Sequence, residues 1–399
     1  MNPSTHDHAV AENRLQISPS AEFGQWLHQA GTALTFTTYQ AGKIFMIGAR
    51  EDARLSIFER TLDRCMGLST SPDTIMVAGR HQIYRFENAL ADGETAPGGH
   101  DRHYLPQLSF FTSDLDVHDL LVDGSGQVLF ANTLFNCVAT VSATHSFKPV
   151  WKPHFIQGLA AGDKCHLNGL AVRDGALRYV TVTGVTDQSD GWRDMKQDGG
   201  AVLDVRDNSF VARGLSMPHS PRWYRDRLWL HDSGTGRFGF IDPDRGAFVA
   251  VAFCPGYLRG LCFVGDHAVI SLSKPRGSDA YDGLVLQQIL DERNLSARCG
   301  LYVINLETGR FSETGSKLAV AQIRDFLFGD SRFIQGLQKL MQVVHRGGHT
   351  TVGDMCFGIF DVEQEWTAYK MMFDHAGIPL RIMMVPRGRP PENADDDTI

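Results

Sequence analysis

Positive charge is in short supply in this chain. Its 38 Lys and Arg face 46 Asp and Glu, for a formal net charge of -8, so the basic excess that draws a protein onto a nucleic-acid backbone is missing. That excludes nucleic acid as an expected partner. Long apolar runs are missing as well: nothing approaches the roughly 18 uninterrupted apolar residues that cross a bilayer. Residues 1–15, with His6, Asp7, His8, Glu12 and Asn13, lack the apolar segment of a secretory leader. The expectation is a soluble, cytoplasmic protein with no membrane association. The seven cysteines (Cys65, Cys137, Cys165, Cys254, Cys262, Cys299 and Cys356) are odd in number, scattered and without a CxxC pair. This argues against both a disulfide framework and a four-cysteine zinc site. Most adjoin apolar residues, as in Phe253-Cys254, and read as small core hydrophobes. Nucleotide and serine-nucleophile signatures are absent too. Gly234-Thr235-Gly236 has no Lys-Ser/Thr after it, and neither Ser220 nor Ser233 sits in a Gly-x-Ser-x-Gly elbow. His345 and His349 are separated by Gly347 and Gly348, which argues against a helical metal pair.

What is present is a chain of short strands. The 40 glycines punctuate apolar runs such as 43–47, 128–131, 179–183 and 227–230, whose length and β-branched or aromatic content indicate strands. Turn chemistry separates them, as at Asp123-Gly124-Ser125-Gly126, Asp174-Gly175 and Asp242-Pro243-Asp244-Arg245-Gly246. A degenerate motif recurs at Met66-Gly67-Leu68, His118-Asp119-Leu120, Asn168-Gly169-Leu170, Pro221-Arg222-Trp223 and Arg259-Gly260-Leu261, at intervals of 52, 50, 53 and 38 residues. That is the length of a four-stranded propeller blade. With an earlier strand group at 34–57, the expectation is an all-β, six-bladed β-propeller spanning 33–318, with seven blades as the alternative. An N-terminal segment (1–32) precedes it. Residues 319–385 form a C-terminal addition, predicted partly helical over 319–344 and with a possible closing strand for the first blade at 378–385. Residues 386–399 form a loose tail.

Several motifs in this order resemble a family of bacterial propeller-like proteins of unassigned function. They are Thr38-Tyr39-Gln40-Ala41-Gly42-Lys43, Cys165-His166-Leu167-Asn168-Gly169-Leu170, Gly191-Trp192-Arg193, Met217-Pro218-His219-Ser220-Pro221-Arg222-Trp223, Asp232-Ser233-Gly234-Thr235-Gly236 and Pro255-Gly256-Tyr257-Leu258-Arg259-Gly260-Leu261. The likeness covers about 33–309. More weakly, the Asn-Gly-Leu strand is similar to that of senescence-marker and gluconolactonase-type six-bladed propellers, where the Asn helps hold a divalent metal. That resemblance points to Asn168.

The first strand of a propeller blade lines the central channel, so equivalent positions form rings about the axis. Aligning the motifs puts Met66, His118, Asn168, Pro221 and Arg259 at one level. Residues two earlier lie about 7 Å along the strand on the same face: Arg64, Asp116, His166, His219 and Tyr257. The expected site therefore gathers His118, His166 and His219 with Asn168 as ligands of a divalent transition metal, with zinc, iron and copper all compatible. Asp116 is the candidate base, and Arg259 and Arg222 bind a carboxylate or phosphate. For both arginines the competing role is a blade-to-blade salt bridge; for the histidines it is a hydrogen-bonded, water-filled channel. The loop 187–193 stands as a cover for the channel mouth or as an ordinary hairpin. The functional expectation is a metal-dependent enzyme acting on a small polar molecule, by hydrolysis or oxidation. The alternative is a noncatalytic propeller that binds a peptide or protein.

Overall fold

Two-residue turns set the architecture. Asp174-Gly175 and Arg225-Asp226 both place two consecutive residues at positive φ (53° and 77°; 50° and 57°), the twist that joins right-twisted antiparallel strands. In the computed structural model, which describes residues 19–20, 22–274, 282–309, 351–354 and 381–384, such hairpins build six antiparallel sheets in chain order. Blade 1 holds Leu34–Thr38, Lys43–Ala49 and Leu55–Thr61. Blade 2 holds Leu68–Thr70, Thr74–Ala78, Gln82–Asn88 and Tyr104–Phe111. Blade 3 holds Val117–Val122, Val128–Asn132, Cys137–Thr140 and Lys148–Trp151. Blade 4 holds Leu167–Arg173, Ala176–Val182, Gly200–Asp204 and Phe210–Leu215. Blade 5 holds Pro218–Tyr224, Arg227–Asp232, Arg237–Asp242 and Ala247–Phe253. Blade 6 holds Tyr257–Val264, His267–Ser273 and Gly300–Asn305. From blade to blade the first strands neighbour one another, so they form the inner wall, as the six-bladed reading expects.

Buried side chains fill the spaces between blades in turn. Ile44 and Ile75 lie between blades 1 and 2, and Ile83 and Phe130 between 2 and 3. Leu129 and Leu170 lie between 3 and 4, Tyr179 and Leu230 between 4 and 5, and Trp229 and Ile270 between 5 and 6. The ring closes where Leu34 and Ile47 of blade 1 meet Val269 and Val303 of blade 6, with Trp26 and Leu27 of helix α1 (Phe23–Gln29) in the same cluster. Four cysteines, Cys65, Cys137, Cys165 and Cys254, are buried and free. Burial pushes the Cys137 and Cys254 thiols up to about 12, which suits the inert core role.

The chain divides into two compact units, residues 1–312 and 313–399. Within the second, Arg381–Met384 pairs in parallel with Thr351–Asp354; this is the strand anticipated at 378–385, and its hydrogen-bonded partner is thus 351–354. The helix anticipated over 319–344 and the tail 386–399 lie outside the described residues. No helix among the described residues is long and apolar enough to cross a membrane.

Gly169 and Gly260 both lie in inner strands, and the motif alignment alone would give them equal weight. The structure separates them. A Cβ on Gly169 would overlap the Pro221 ring and lie 2.5 Å from Thr181 Oγ1, whereas one on Gly260 meets only the Ser271 hydroxyl at 3.0 Å. Gly169→Val is expected to cost about 3 kcal/mol and Gly260→Val about 1 kcal/mol, read as unfolding midpoints in urea. Equal costs would contradict the packing at Pro221.

His231 supplies a second stability prediction. It is fully buried in blade 5, donates from Nε2 to the Gly260 carbonyl at 3.2 Å and has no partner for Nδ1. Burial, reinforced by the Arg222 charge and only partly opposed by the Gly260 bond, pushes its pKa down to about 3. The unfolded chain takes up this proton below about pH 6.5 while the folded chain does not. Stability therefore falls with acid, at roughly 1.4 kcal/mol per pH unit between about pH 6.5 and 3. His231→Phe is expected to flatten the acid limb of the stability curve between pH 6 and 4. An unchanged slope would show that His231 does not remain neutral.

Candidate active site

One hydrogen bond recurs at the channel mouth: Leu134 N to Leu115 O in blade 3, Gly184 N to Cys165 O in blade 4 and Gly234 N to Ser216 O in blade 5. The residue after each acceptor, Asp116, His166 and Met217, is left-handed (φ 51°, 50° and 47°), as is Arg64 (φ 48°) before blade 2. Each such residue costs about 1 kcal/mol or more in an L-chain. Their recurrence marks them as the turn that feeds the inner strands of blades 2 to 5. Two residues later, Met66, His118, Asn168 and His219 therefore share one level. This corrects the motif alignment at one place: blade 5 registers at His219 and not at Pro221, so His118 and His219 are equivalent, while His166 keeps the level of Asp116.

The structure brings the three histidines together. The His118 and His166 ring centroids lie 4.6 Å apart, nearly perpendicular, and both rings are near enough to His219 to disfavour its protonation. Each ring commits its Nδ1 to an acceptor. His118 Nδ1 donates to Asp116 O (2.9 Å) and to Thr133 Oγ1 (2.9 Å), whose own proton goes to Leu167 O (2.7 Å). His219 Nδ1 donates to Met217 O at 2.8 Å. His166 Nδ1 donates to both oxygens of Asp163 (3.1 and 2.9 Å). Wherever a ring is neutral, Nε2 is then its unprotonated nitrogen. On His219 it accepts from Arg259 Nη1 at 3.1 Å. On His118 and His166 no hydrogen-bond partner is found among the described residues, and neither atom is among the buried unsatisfied ones, so both keep some solvent exposure. Burial, with Arg259 and the neighbouring rings adding to it, holds His219 well below the ordinary imidazole range. Burial also lowers His118, against the pull of Asp116.

Asp163 and Trp192 complete the His166 corner. Trp192 stacks on the imidazole at 4.2 Å and donates from Nε1 to Asp163 Oδ2 at 2.9 Å. Burial pushes the Asp163 carboxyl up, but the charge and hydrogen bond of His166 and the Trp192 bond outweigh it and hold the group below its usual range. The loop 187–193 is tied back by Lys164–Asp187 (2.7 Å) and Ser189 Oγ to Gly162 O (2.9 Å), so it delivers Trp192 to the site and is more than a plain hairpin. Trp192, Met217 and Tyr257 pack with Leu284, Leu286 and Leu290 of and beside helix α2 (Val285–Glu292) into an apolar wall. Tyr257 meets His219 edge-on at 5.5 Å, and its ring lies under Arg259.

Other expected members go elsewhere. Asn168 turns into its own blade, where Oδ1 accepts from Thr181 (2.7 Å) and Nδ2 donates to Thr183 (3.2 Å); hydrogen-bonding demand inside the sheet consumes the side chain. Arg222 forks onto Asp119 (2.8 and 3.0 Å) and also donates to Leu170 O, so it is the blade-to-blade bridge and not an anion receptor. Asp116 keeps its carbonyl on His118, while its carboxylate pairs with Arg64 at 3.3 Å. Arg64 also pairs with Asp114 at 3.1 Å.

For a metal, the Nδ1-bonded tautomer is the one that ligating imidazoles adopt. Yet a guanidinium occupies the His219 nitrogen and would repel a divalent cation. Among the described residues, no three His, Cys, Asp or Glu side chains converge on one point. The three-histidine centre with Asn168 does not fit this arrangement; His118 and His166 remain as two open nitrogens. Motif alignment also missed Asp163 and Thr133, and held Trp192 only as part of the Gly191-Trp192-Arg193 motif and the 187–193 loop. Asp163 stands three residues before His166, and that spacing in a turn is the only trace the pair leaves in the sequence.

A family model described as "Domain of unknown function (DUF4915)" matches residues 21–326. No curated protein matches the chain. Among solved structures it is similar to a virginiamycin B lyase from Staphylococcus aureus (13% identity, 64% of this chain and 75% of that one, TM-score 0.37). It is also similar to a nidogen/laminin complex (12%, 70% and 91%, 0.46) and to a gluconolactonase from Xanthomonas campestris (18%, 62% and 81%, 0.37). At these identities and TM-scores the likeness carries no argument about this chain.

Proposed function

The chain belongs to the DUF4915 family, and from that premise we propose that it is an enzyme that acts on a small anionic molecule by general acid–base catalysis, with hydrolysis as the reaction class. The observation that carries this is the Asp163–His166 pair, whose imidazole lies 4.6 Å from the His118 ring, on which the Arg259 charge acts. In this reading His166 Nε2 takes a proton from water as the water oxygen bonds to a substrate carbonyl carbon. Asp163 steadies the imidazolium that forms, and the same proton passes to the departing alkoxide as the acyl–oxygen bond breaks. Arg259, held by His219 and Tyr257, attracts the substrate's negative charge. The base is thus His166 in place of Asp116, whose carboxylate is paired with Arg64.

The test is a panel of small carboxylate-bearing esters and lactones followed by proton NMR. Turnover that survives metal chelation is the expected result; absence of turnover across the panel would favour a propeller that only binds a partner. A second reading rests on the tautomer: His118 and His166 Nε2 could hold a divalent transition metal, which would acidify a bound water. Elemental analysis of protein purified without chelator separates the two. One metal per chain, lost in both His118→Gln and His166→Gln, would replace the first reading with the second.

A further inference from the structure

An indole N–H can only donate, and a buried one needs an acceptor. The buried Trp192 gives its proton to the Asp163 carboxylate, 2.9 Å from Oδ2. Its ring also lies 4.2 Å from that of His166 between centroids and within 27° of its plane. One rigid side chain therefore touches both members of the acid–base pair. His166 Nδ1 reaches both carboxylate oxygens (3.1 and 2.9 Å), and among the described residues the indole is the only other side chain hydrogen-bonded to them. Held by Nδ1 alone, the carboxylate could tip about that contact; the second donor on Oδ2 fixes its plane.

The backbone builds this placement from two sides. Ser189 Oγ and Asp190 N both donate to Gly162 O (2.9 and 3.1 Å), which fastens the Trp192 loop to the residue before Asp163. Gly184 sits in the turn where its N–H meets Cys165 O, next to His166. A Cβ on Gly184 would stand 2.8 Å from Trp192 Cα, so a larger residue there would push the indole away. In a neutral imidazole, the acceptor at one nitrogen decides where the proton stays. Resting on the acid–base reading for what the pair does, we infer that Trp192 is a positioning residue. Its N–H holds the Asp163 carboxylate against Nδ1, so the proton stays there and Nε2, which keeps some solvent exposure, remains the accepting nitrogen. Where the carboxylate swings away, the proton can settle on Nε2 and the base is lost. Packing beside Met217 and Leu284 would need only the ring and not its N–H.

Trp192→Phe tests this, since it keeps an aromatic ring for stacking and deletes the N–H. Nitrogen NMR of the isotopically labelled whole chain at about pH 9, above the imidazole range, reads the tautomer; the His166 signals are those lost in His166→Gln. The parent protein is expected to carry the proton on Nδ1, and Trp192→Phe to show a mixture with a substantial share on Nε2. On a substrate found in the ester panel, Trp192→Phe is expected to lower kcat about tenfold, the worth of a hydrogen bond to a charged group, with KM changed less. In the Asp163→Asn background the same substitution should cost little more. An unchanged tautomer in folded Trp192→Phe would overturn the inference, as would an undiminished kcat loss in the Asp163→Asn background. Should Trp192→Phe fail to fold by circular dichroism, Gly184→Ala decides in its place: a shifted tautomer supports the role, and an unchanged tautomer or a second loss of folding leaves Trp192 a core residue only. The two readings fail separately. A tautomer that depends on Trp192 without ester turnover keeps the positioning and removes the catalysis; turnover with a tautomer indifferent to Trp192 does the reverse.

Discussion

Arg222→Met is expected to destabilise the fold by about 3–5 kcal/mol, the cost of leaving one member of a buried ion pair behind. Asp119, with its side chain 7% exposed, sits on the inner strand of blade 3. It accepts from Leu120 N of its own strand, from Leu170 N of blade 4 and from both Nη atoms of Arg222 in blade 5. Arg222 also donates to Leu170 O and Pro221 O. Three consecutive blades are thus fastened through one carboxylate and one guanidinium. Methionine would fill the volume but leave the Asp119 charge buried with two backbone donors in place of four. Asp119→Leu is expected to cost a similar amount. The double variant should lose clearly less than the sum, because an apolar pair of like volume is often tolerated where half an ion pair is not. Urea unfolding measures all three. A single variant within 1 kcal/mol of the parent protein, or strict additivity, would show that the bridge does not hold the blades together.

His166→Gln is expected to lower kcat on any substrate found in the ester panel by roughly 10²- to 10⁴-fold, the usual worth of a positioned general base, with the unfolding midpoint nearly unchanged. Glutamine keeps polar volume in the pocket but cannot take up the proton. Asp163→Asn should fall in the same range for a different reason. An amide can donate to Nδ1 where the carboxylate only accepts, which favours the tautomer with its proton on Nε2 and removes the base from the channel. Because the two act as a unit, the double variant should be little worse than either single one. Full activity in His166→Gln would move the base elsewhere. A strong effect of His166→Gln with none for Asp163→Asn would reduce Asp163 to a packing partner of Trp192.

Chain-local features alone determined the architecture of this protein. Turn pairs such as Asp174-Gly175 and β-branched runs such as 179–183 act within a few residues, and their recurrence at blade-length intervals pointed to six blades, with seven as the alternative, and to Met66, His118, Asn168 and Arg259 on or beside the inner strands. The same locality made the channel histidines visible as a group. Tertiary structure decided their register and their partners. Motif matching placed Pro221 opposite Asn168, and only the repeated backbone bond with its left-handed residue aligns His219 with His118. A shift of two residues keeps a strand's facing pattern, so no hydrophobic periodicity could reveal it. The fates of Asn168 and Arg222 were settled by groups distant in the chain. Thr181 and Thr183 engage the amide from the adjacent strand, and Asp119, 103 residues away, claims the guanidinium. Trp192 reaches His166 because its loop is tied back to Gly162 and Lys164. Such pairings depend on donors and acceptors meeting across blades, and a buried polar group takes whichever partner the packing puts within reach.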